Sequence, residues 1–211
     1  IEILNTATGA KSTVTSTASG GFGVSGLRAG DPYSVTVTAP GYIPAQVTDI
    51  VPVLAQAFEL PIELAAESAG SNETIVVTAT RLKGAGSVSQ GPATVLGVED
   101  IAKVASVNRD IRDLSRRDPF ARLDDTPTGG RQISFAGQNP CYNRFSVDGV
   151  PITDSFGLGG DGLPSRRSPI PIDAIGQFQA KVAPFDVREG NFQGGSINIV
   201  LRSGTNSFQG T

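Results

Sequence analysis

Residues 72–81 read NETIVVTATR, and the apolar centre of this stretch decides how the chain is organised. Ile75, Val76 and Val77 are β-branched, lie between threonines and follow the small, polar residues 65–72, AAESAGSN. β-Branched side chains stiffen the extended backbone and pack well on a pleated sheet. The pattern predicts a strand that lies between two domains and needs a partner. An ordinary strand inside one sheet is the alternative that the residues alone leave open.

The composition is typical of a mostly β protein with two small domains. The 211 residues include 26 Gly and 14 Pro, and only 6% are aromatic, which favours short strands joined by tight turns.

The net charge is -3 and no basic stripe is present, which excludes the nucleic-acid-binding class. The chain has no histidine, so Ser/His/Asp and Cys/His catalysis are excluded and we expect no enzyme. The single cysteine, Cys141, cannot form an internal disulfide, but it could pair with a cysteine elsewhere in a longer protein.

Two motifs that could indicate a small-molecule site are better explained as loops. Residues 157–162, GLGGDG, fit a dinucleotide-binding pattern, but they follow no predicted strand and lead into Pro164 rather than into a helix. Asp124 and Asp125 are interpreted as a solvated turn beside Pro127, because sequence neighbours seldom face each other across a substrate. We therefore expect no cofactor and no metal.

Period-two alternation predicts antiparallel strands at residues 33–39, YSVTVTA, and 58–64, FELPIEL. Residues 21–42, GFGVSGLRAGDPYSVTVTAPGY, resemble carboxypeptidase regulatory-like, transthyretin-like modules. The resemblance implies a small β-sandwich over residues 1–66 that lacks the first strand of the family pattern. The missing strand would leave an exposed sheet edge.

The second half mixes helices and strands. Helical spacing predicts one helix at 98–106 and another at 109–117, the latter capped by Asn108 and supported by an Asp113–Arg117 pair. Asp148-Gly149 lies between apolar flanks and predicts a hairpin turn. Further strands are expected at 91–97, 131–138, 143–153, 177–182 and 196–202, with a short helical turn at 173–175.

The order of these segments resembles the start of a TonB-dependent outer-membrane transporter. The motifs that carry the resemblance are ETIVVTA (73–79), NRDIRDLSRRDP (108–119), ISFAGQNPCYNRFSVDGVPI (133–152) and GGSINIVLRSGTNSFQG (194–210). FGLGGDGLP (156–164) and SPIPIDAI (168–175) are similar to the Oar-like branch of that family. The resemblance implies an α+β chain that begins with a regulatory-like sandwich at 1–66 and continues with a linker that carries a TonB-box-like strand at 67–91. A mixed α/β plug with short helices would follow at 92–205. Residues 206–211 would start the connection to a transmembrane β-barrel, which is absent from this chain.

The resemblance also implies partners and a location. The chain would lie in the outer membrane with its N-terminal domain in the periplasm, and its own β-barrel would follow. The C-terminal domain of TonB, driven by the ExbB/ExbD motor, would capture a strand that is mobile until then. The residues of this strand, here called the box segment, are Glu73, Thr74, Ile75, Val76, Val77, Thr78 and Ala79. The sequence does not name the cargo, for which a peptide or a protein is one candidate class.

Two sets of plug residues follow from the same resemblance. The ligand-facing loops would contain Asn139, Tyr142, Asn143, Arg144, Phe156, Arg166 and Arg167. The arginines of the plug would pair either with barrel carboxylates or with local acidic residues. They include Arg109, Arg112, Arg116, Arg117, Arg122, Arg131 and Arg144.

A second class of function is a secreted or periplasmic adhesion or carbohydrate-binding β-sandwich protein without a transport role. The two hypotheses differ in what the gene should encode after Thr211. A transporter requires many further alternating strands of about ten residues each, whereas an adhesin does not.

Overall fold

The computed structural model describes residues 1–53, 59–67, 75–78, 92–126, 130–157, 159–182, 190 and 193–205 of the 211-residue chain. These residues fall into two compact units. The first contains the described residues up to 78 together with 203–205, and the second contains residues 92–202. The predicted α+β class is confirmed: strands dominate both units, and the described helices, all of them short, lie in the second unit.

A five-stranded sheet forms the regular part of the first unit. Its strands are β1 (Glu2–Asn5), β2 (Lys11–Thr13), β3 (Tyr33–Val37), β4 (Ala45–Ile50) and β5 (Ile75–Thr78), in the spatial order β2-β1-β3-β4-β5. The first four strands pair antiparallel, whereas β5 runs parallel to β4. Buried residues of β1, β3 and β4 form one core, which is built from Ile3, Tyr33, Val35, Val47 and Ile50.

The strand predicted at residues 58–64 is wrong for the part of it that the structure describes. Residues 59–65 form no strand, and only an isolated bridge joins Tyr42 to Ala66. Phe58 lies outside the described residues. Pro61 explains the difference, because proline has no N–H to donate to a ladder. The apolar residues are still used: Leu60 and Ile62 pack against the core of the sheet, so the segment covers it without pairing along its length.

A second five-stranded sheet organises the second unit. It contains β6 (Ala93–Gly97), β9 (Arg144–Val147), β10 (Val150–Pro151), β11 (Ile175–Lys181) and β12 (Ser196–Leu201), in the order β10-β9-β12-β11-β6. A separate hairpin is formed by β7 (Ala121–Thr126) and β8 (Gly130–Phe135). The predicted turn at Asp148-Gly149 is confirmed, since both residues have positive φ, 48° and 83°, and connect β9 to β10.

The helices of the second unit are shorter and tighter than the sequence suggested. Helix α1 covers Val98–Ala102, and 3₁₀ helices cover Ile111–Arg117, Pro140–Tyr142 and Ile172–Ala174. The helix predicted at 109–117 is the first of these 3₁₀ helices. Ile111 and Leu114 are both buried, and this spacing of three suits a helix with three residues per turn.

The predicted cap of this helix was wrong. Asp110, not Asn108, caps it, and the Asp110 carboxylate accepts a hydrogen bond of 2.8 Å from the backbone N–H of Arg112. Arg109 has a positive φ of 52°, so the chain turns after Asn108 and the helix begins later. The expected Asp113–Arg117 pair is replaced as well, because Asp113 contacts Arg116 and Arg131, and Arg117 donates to the carbonyl of Lys103.

The core of the second unit lies where the main sheet meets the helices and the β7–β8 hairpin. Its most deeply buried members are Leu114, Phe135, Ile175, Ala180 and Ile199, each 0% exposed. Among the residues that the structure describes, none of the helices has the length and apolar character needed to span a bilayer.

Candidate functional site

The centre of the box segment forms the last strand of the first sheet. Ile75, Val76, Val77 and Thr78 make up β5, and they pair in register with Ala45, Gln46, Val47 and Thr48 of β4. Glu73, Thr74 and Ala79 lie outside the described residues. The sequence predicted a strand that stays unpaired until a partner captures it. The structure instead pairs β5 along one flank, because the edge of β4 would otherwise expose a row of unpaired backbone groups.

The strand β4 is well fixed and therefore offers β5 a rigid edge. Ala45 and Val47 are buried, and the alternating Gln46 and Thr48 are half-buried. The Gln46 side chain donates a hydrogen bond of 2.9 Å to the Ser34 hydroxyl on β3. With β3 on one flank and β5 on the other, β4 is a central strand and β5 is the edge strand of the described sheet.

A buried arginine organises the second unit. The Arg112 side chain is 0% exposed and pairs with Asp110 at 2.9 Å and with Asp161. It also donates to the carbonyl oxygens of Ser165 and Arg166, at 3.3 and 3.2 Å. One guanidinium therefore joins the 3₁₀ helix at 111–117 to residues 161–166, which include Arg166, one of the residues predicted to face a ligand. Its Nε is buried without a partner in the structure.

A second arginine joins the same helix to the β7–β8 hairpin. Arg131 on β8 pairs with Asp113 and, at 2.6 Å, with Asp125 on β7. Arg116 adds a contact to Asp125 at 2.9 Å, and the Ser106 hydroxyl donates to Asp113 at 2.5 Å. These charges form a connected network, in which each carboxylate faces more than one donor.

The network changes the acidity of its members. Burial acts to raise the pKa of Asp113, but hydrogen bonds from Arg131 and Ser106 and the nearby positive charges outweigh burial and lower it below 3.8. The hydrogen bond from Arg131 is the main reason why the pKa of Asp125 is lowered. The hydrogen bond to Asp113 is in turn the main reason why the pKa of Arg131 is raised. All three groups are held in their charged forms.

The interpretation of Asp124 and Asp125 as a solvated turn was wrong. Both residues belong to β7, where Asp124 pairs with Gln132 and Asp125 with Arg131. Residue 125 is therefore held opposite its charge partner by strand pairing. Opposite charges directly across an antiparallel pair stabilise it, which local turn chemistry does not reveal.

The lowered pKa values predict acid sensitivity of the second unit. A carboxylate whose pKa is lowered on folding contributes stability that is present above its unfolded pKa of about 3.8 and is lost as the pH falls through its lower folded value. We expect the stability to fall from about pH 4 downwards, and to fall less in an Asp125→Asn variant. Urea unfolding followed through the Ile111 and Leu114 methyl signals at several pH values measures this. Equal pH dependence of the two proteins would contradict the assignment.

The predicted ligand-facing residues divide between surface and interior. Phe156 is 86% exposed and lies beside Asp154, whose carboxylate accepts from the Phe156 N–H at 3.0 Å. The others that are exposed are Asn139, Tyr142, Arg166 and Arg167, and Arg144 is half-buried. No structural observation assigns a ligand to them, and their role stays a prediction from the resemblance.

Asn143 has a structural use inside the unit. It is 1% exposed, its Nδ2 donates to the Ile133 carbonyl at 2.6 Å, and its Oδ1 accepts from the Gly195 N–H at 2.9 Å. The side chain thus joins β8 to the segment that enters β12. Of the seven residues predicted to face a ligand, Asn143 is the buried one.

A buried polar strip on the main sheet was missed by the sequence analysis. Gln179 on β11 and Ser146 on β9 are the register partners of Asn198 on β12, which lies between them. The Ser146 hydroxyl donates to Asn198 Oδ1 at 2.7 Å, whereas Gln179 Nε2 and Asn198 Nδ2 have no partner in the structure. The signal was present in the alternation of polar and apolar residues in IGQFQAK and SINIVL.

Comparison with known proteins gives one family match. The model of the carboxypeptidase regulatory-like domain matches residues 1–65, in agreement with the resemblance found in that stretch. No curated protein matches the chain.

Several solved structures are similar to about half of the chain. They include the outer membrane transporter YddB from Escherichia coli (21% identity, TM-score 0.45, 53% of this chain and 17% of that one). The siderophore receptor PirA from Acinetobacter baumannii has 29% identity and a TM-score of 0.43, over 54% and 18%. The ferric enterobactin receptor PfeA from Pseudomonas aeruginosa, in its R480A form, has 22% identity and a TM-score of 0.42, over 52% and 17%. The chain therefore spans less than a fifth of the length of each of these proteins.

Proposed function

We propose that this chain is the N-terminal periplasmic module and the plug of a TonB-dependent outer-membrane transporter. In this proposal the first unit is a regulatory-like module, the second unit closes the lumen of a barrel, and the box segment couples the plug to TonB. The family match at residues 1–65 supports the first part. The order of the motifs along the chain supports the rest, since box-like residues follow the module and plug-like residues follow the box.

The observation that carries the proposal is the position of β5. A strand that is to be extended by another protein must present a backbone edge, and β5 is the edge strand of the described sheet. Strand addition uses main-chain hydrogen bonds for affinity and alternate side chains for register. A β-branched strand at an edge is suited to this mode of binding, because its backbone is already extended.

The finer assignments belong to the same proposal. The Oar-like subtype is supported by the stretches at 156–164 and 168–175. An outer-membrane location, a periplasmic first unit and the ExbB/ExbD motor follow from the transporter assignment. The plug would catalyse no reaction. It would rearrange when the box segment is pulled.

A titration of the whole chain with the isolated C-terminal domain of TonB tests the proposal. We expect saturable binding below about 100 µM, a range within reach of a short strand interface. Val76→Pro should weaken binding at least tenfold, or about 1.4 kcal/mol, because proline cannot donate a backbone hydrogen bond and disturbs the extended strand that TonB is to join. Val107→Pro is the control, since Val107 is 98% exposed and lies in the other unit. Absence of binding by the unmodified chain would refute the coupling role.

A further inference from the structure

Among the described strands of its sheet, β5 is the one that pairs in parallel, and it is distant in sequence from the strand it joins. β4 ends at Ile50 and β5 begins at Ile75. A parallel neighbour requires a crossover of a dozen residues or more, and the intervening chain is long enough to provide one. The pairing is therefore a long-range docking of the box segment onto the regulatory-like unit, and local turn formation does not explain it.

The two flanks of β5 differ in what they offer a partner. In an extended strand the N–H and C=O groups of successive residues point alternately to the two sides. One set faces β4 over the four registered pairs from Ala45–Ile75 to Thr48–Thr78. The other set faces away from the sheet, and among the described residues β5 is the terminal strand there. A second strand can use the outer set while β4 keeps the inner one.

We propose that β4 is a docking platform for the box segment, and that TonB adds to the outer flank of β5 while β4 stays paired on the inner flank. The regulatory-like unit and TonB then form one continuous sheet with β5 in the middle. This inference rests on the proposed function, and it adds a role for the first unit. That unit holds the box strand extended, so the strand has already lost its conformational entropy before TonB binds it.

The arrangement has a mechanical consequence. Tension applied along β5 loads the hydrogen bonds to β4 in shear, because paired strands share a common axis. Force that enters at the box segment therefore reaches the five-stranded sheet of the first unit. A regulatory-like unit that only spaced the box segment from the plug would carry none of this load.

A reversible disulfide between β4 and β5 tests the inference. Gln46→Cys and Val76→Cys place cysteines on Cα partners of the ladder, a spacing that suits a disulfide, and Cys141→Ser removes the exposed native thiol. Ser12→Cys with Val76→Cys is the control, because Ser12 lies in β2 at the opposite edge of the sheet. We expect the first pair to oxidise readily and the control pair not to.

TonB binding is then compared between the oxidised and the reduced form of the same protein. We expect the two affinities to agree within about threefold, because the disulfide fixes the β4–β5 pairing, which the complex with TonB retains. Loss of binding by more than about tenfold on oxidation alone would show that TonB displaces β4, and would overturn the inference while leaving the proposed function intact. If neither form binds and the unmodified chain does not bind either, the proposed function fails, and the inference fails with it. A pair that does not oxidise overturns the β4–β5 docking itself.

Amide hydrogen exchange on the unmodified chain gives a second readout. In the free chain, alternate amides of residues 75–78 should be protected, because only one flank is paired. In the TonB complex all four should be protected, and the amides of β4 that face β5 should keep their protection. If the amides of β4 that face β5 lost their protection when TonB binds, the shared sheet would be contradicted.

Discussion

Replacing Arg112 by leucine is expected to destabilise the second unit by about 3–5 kcal/mol, because it leaves buried carboxylates without their partner. The Arg112 side chain is completely buried, and it pairs with Asp110 and Asp161, which are nearly buried themselves. The same guanidinium holds the carbonyl groups of Ser165 and Arg166. The substitution therefore removes charge pairing and loop attachment together. Urea unfolding followed through signals of the second unit measures the loss.

Two further variants separate these contributions. Arg112→Lys keeps the positive charge but lacks the planar guanidinium that donates to several acceptors at once. We therefore expect it to be more stable than Arg112→Leu but less stable than the original protein. Arg117→Leu is the matched control on the same 3₁₀ helix, since Arg117 is exposed, and its effect should stay within about 0.5 kcal/mol. Equal effects of Arg112→Leu and Arg117→Leu would show that the buried network does not stabilise the unit.

The ion pairs of the arginines in the second unit show what the sequence alone could not predict. The sequence allowed the arginines of the plug to pair either with local acidic residues or with carboxylates of a barrel. In the structure Arg109, Arg112, Arg116 and Arg131 all have carboxylate partners within the second unit. Spacing along the chain could suggest Asp110 as a partner of Arg112, but it could not identify Asp161, which is 49 positions away.

Strands and turns with local signals were predicted well. Alternation located β3, β11 and β12, and the Asp148-Gly149 dipeptide located the β9–β10 turn. The parallel pairing of β5 was not predicted, because no local pattern specifies which distant edge a β-branched strand will join. The strand β7 was missed for a related reason. Its charged residues suggest a turn until β8 places Arg131 opposite Asp125.

The second large effect is expected at Gly195, which precedes β12. A Cβ at this position would lie 2.3 to 2.7 Å from three ring atoms of Phe135, which is 0% exposed. The ring belongs to the core and cannot move outward without displacing its neighbours. Gly195→Ala should therefore cost about 3 kcal/mol of stability, near the upper end for overpacking by a small group. The free energy of unfolding of the second unit is the quantity to measure.

A double-mutant cycle distinguishes this steric cause from a general loss of backbone freedom. Phe135→Leu makes room for the added methyl group, so the cost of Gly195→Ala should be smaller in the Phe135→Leu background than in the original protein, with a coupling of about 1 kcal/mol or more. Gly190→Ala serves as the control, because a Cβ there meets nothing within 4 Å. If Gly195→Ala costs the same in both backgrounds, the ring of Phe135 is not what requires glycine at residue 195. If the coupling appears, the close approach of this backbone to the Phe135 ring is the reason why the chain has glycine at residue 195, directly before β12.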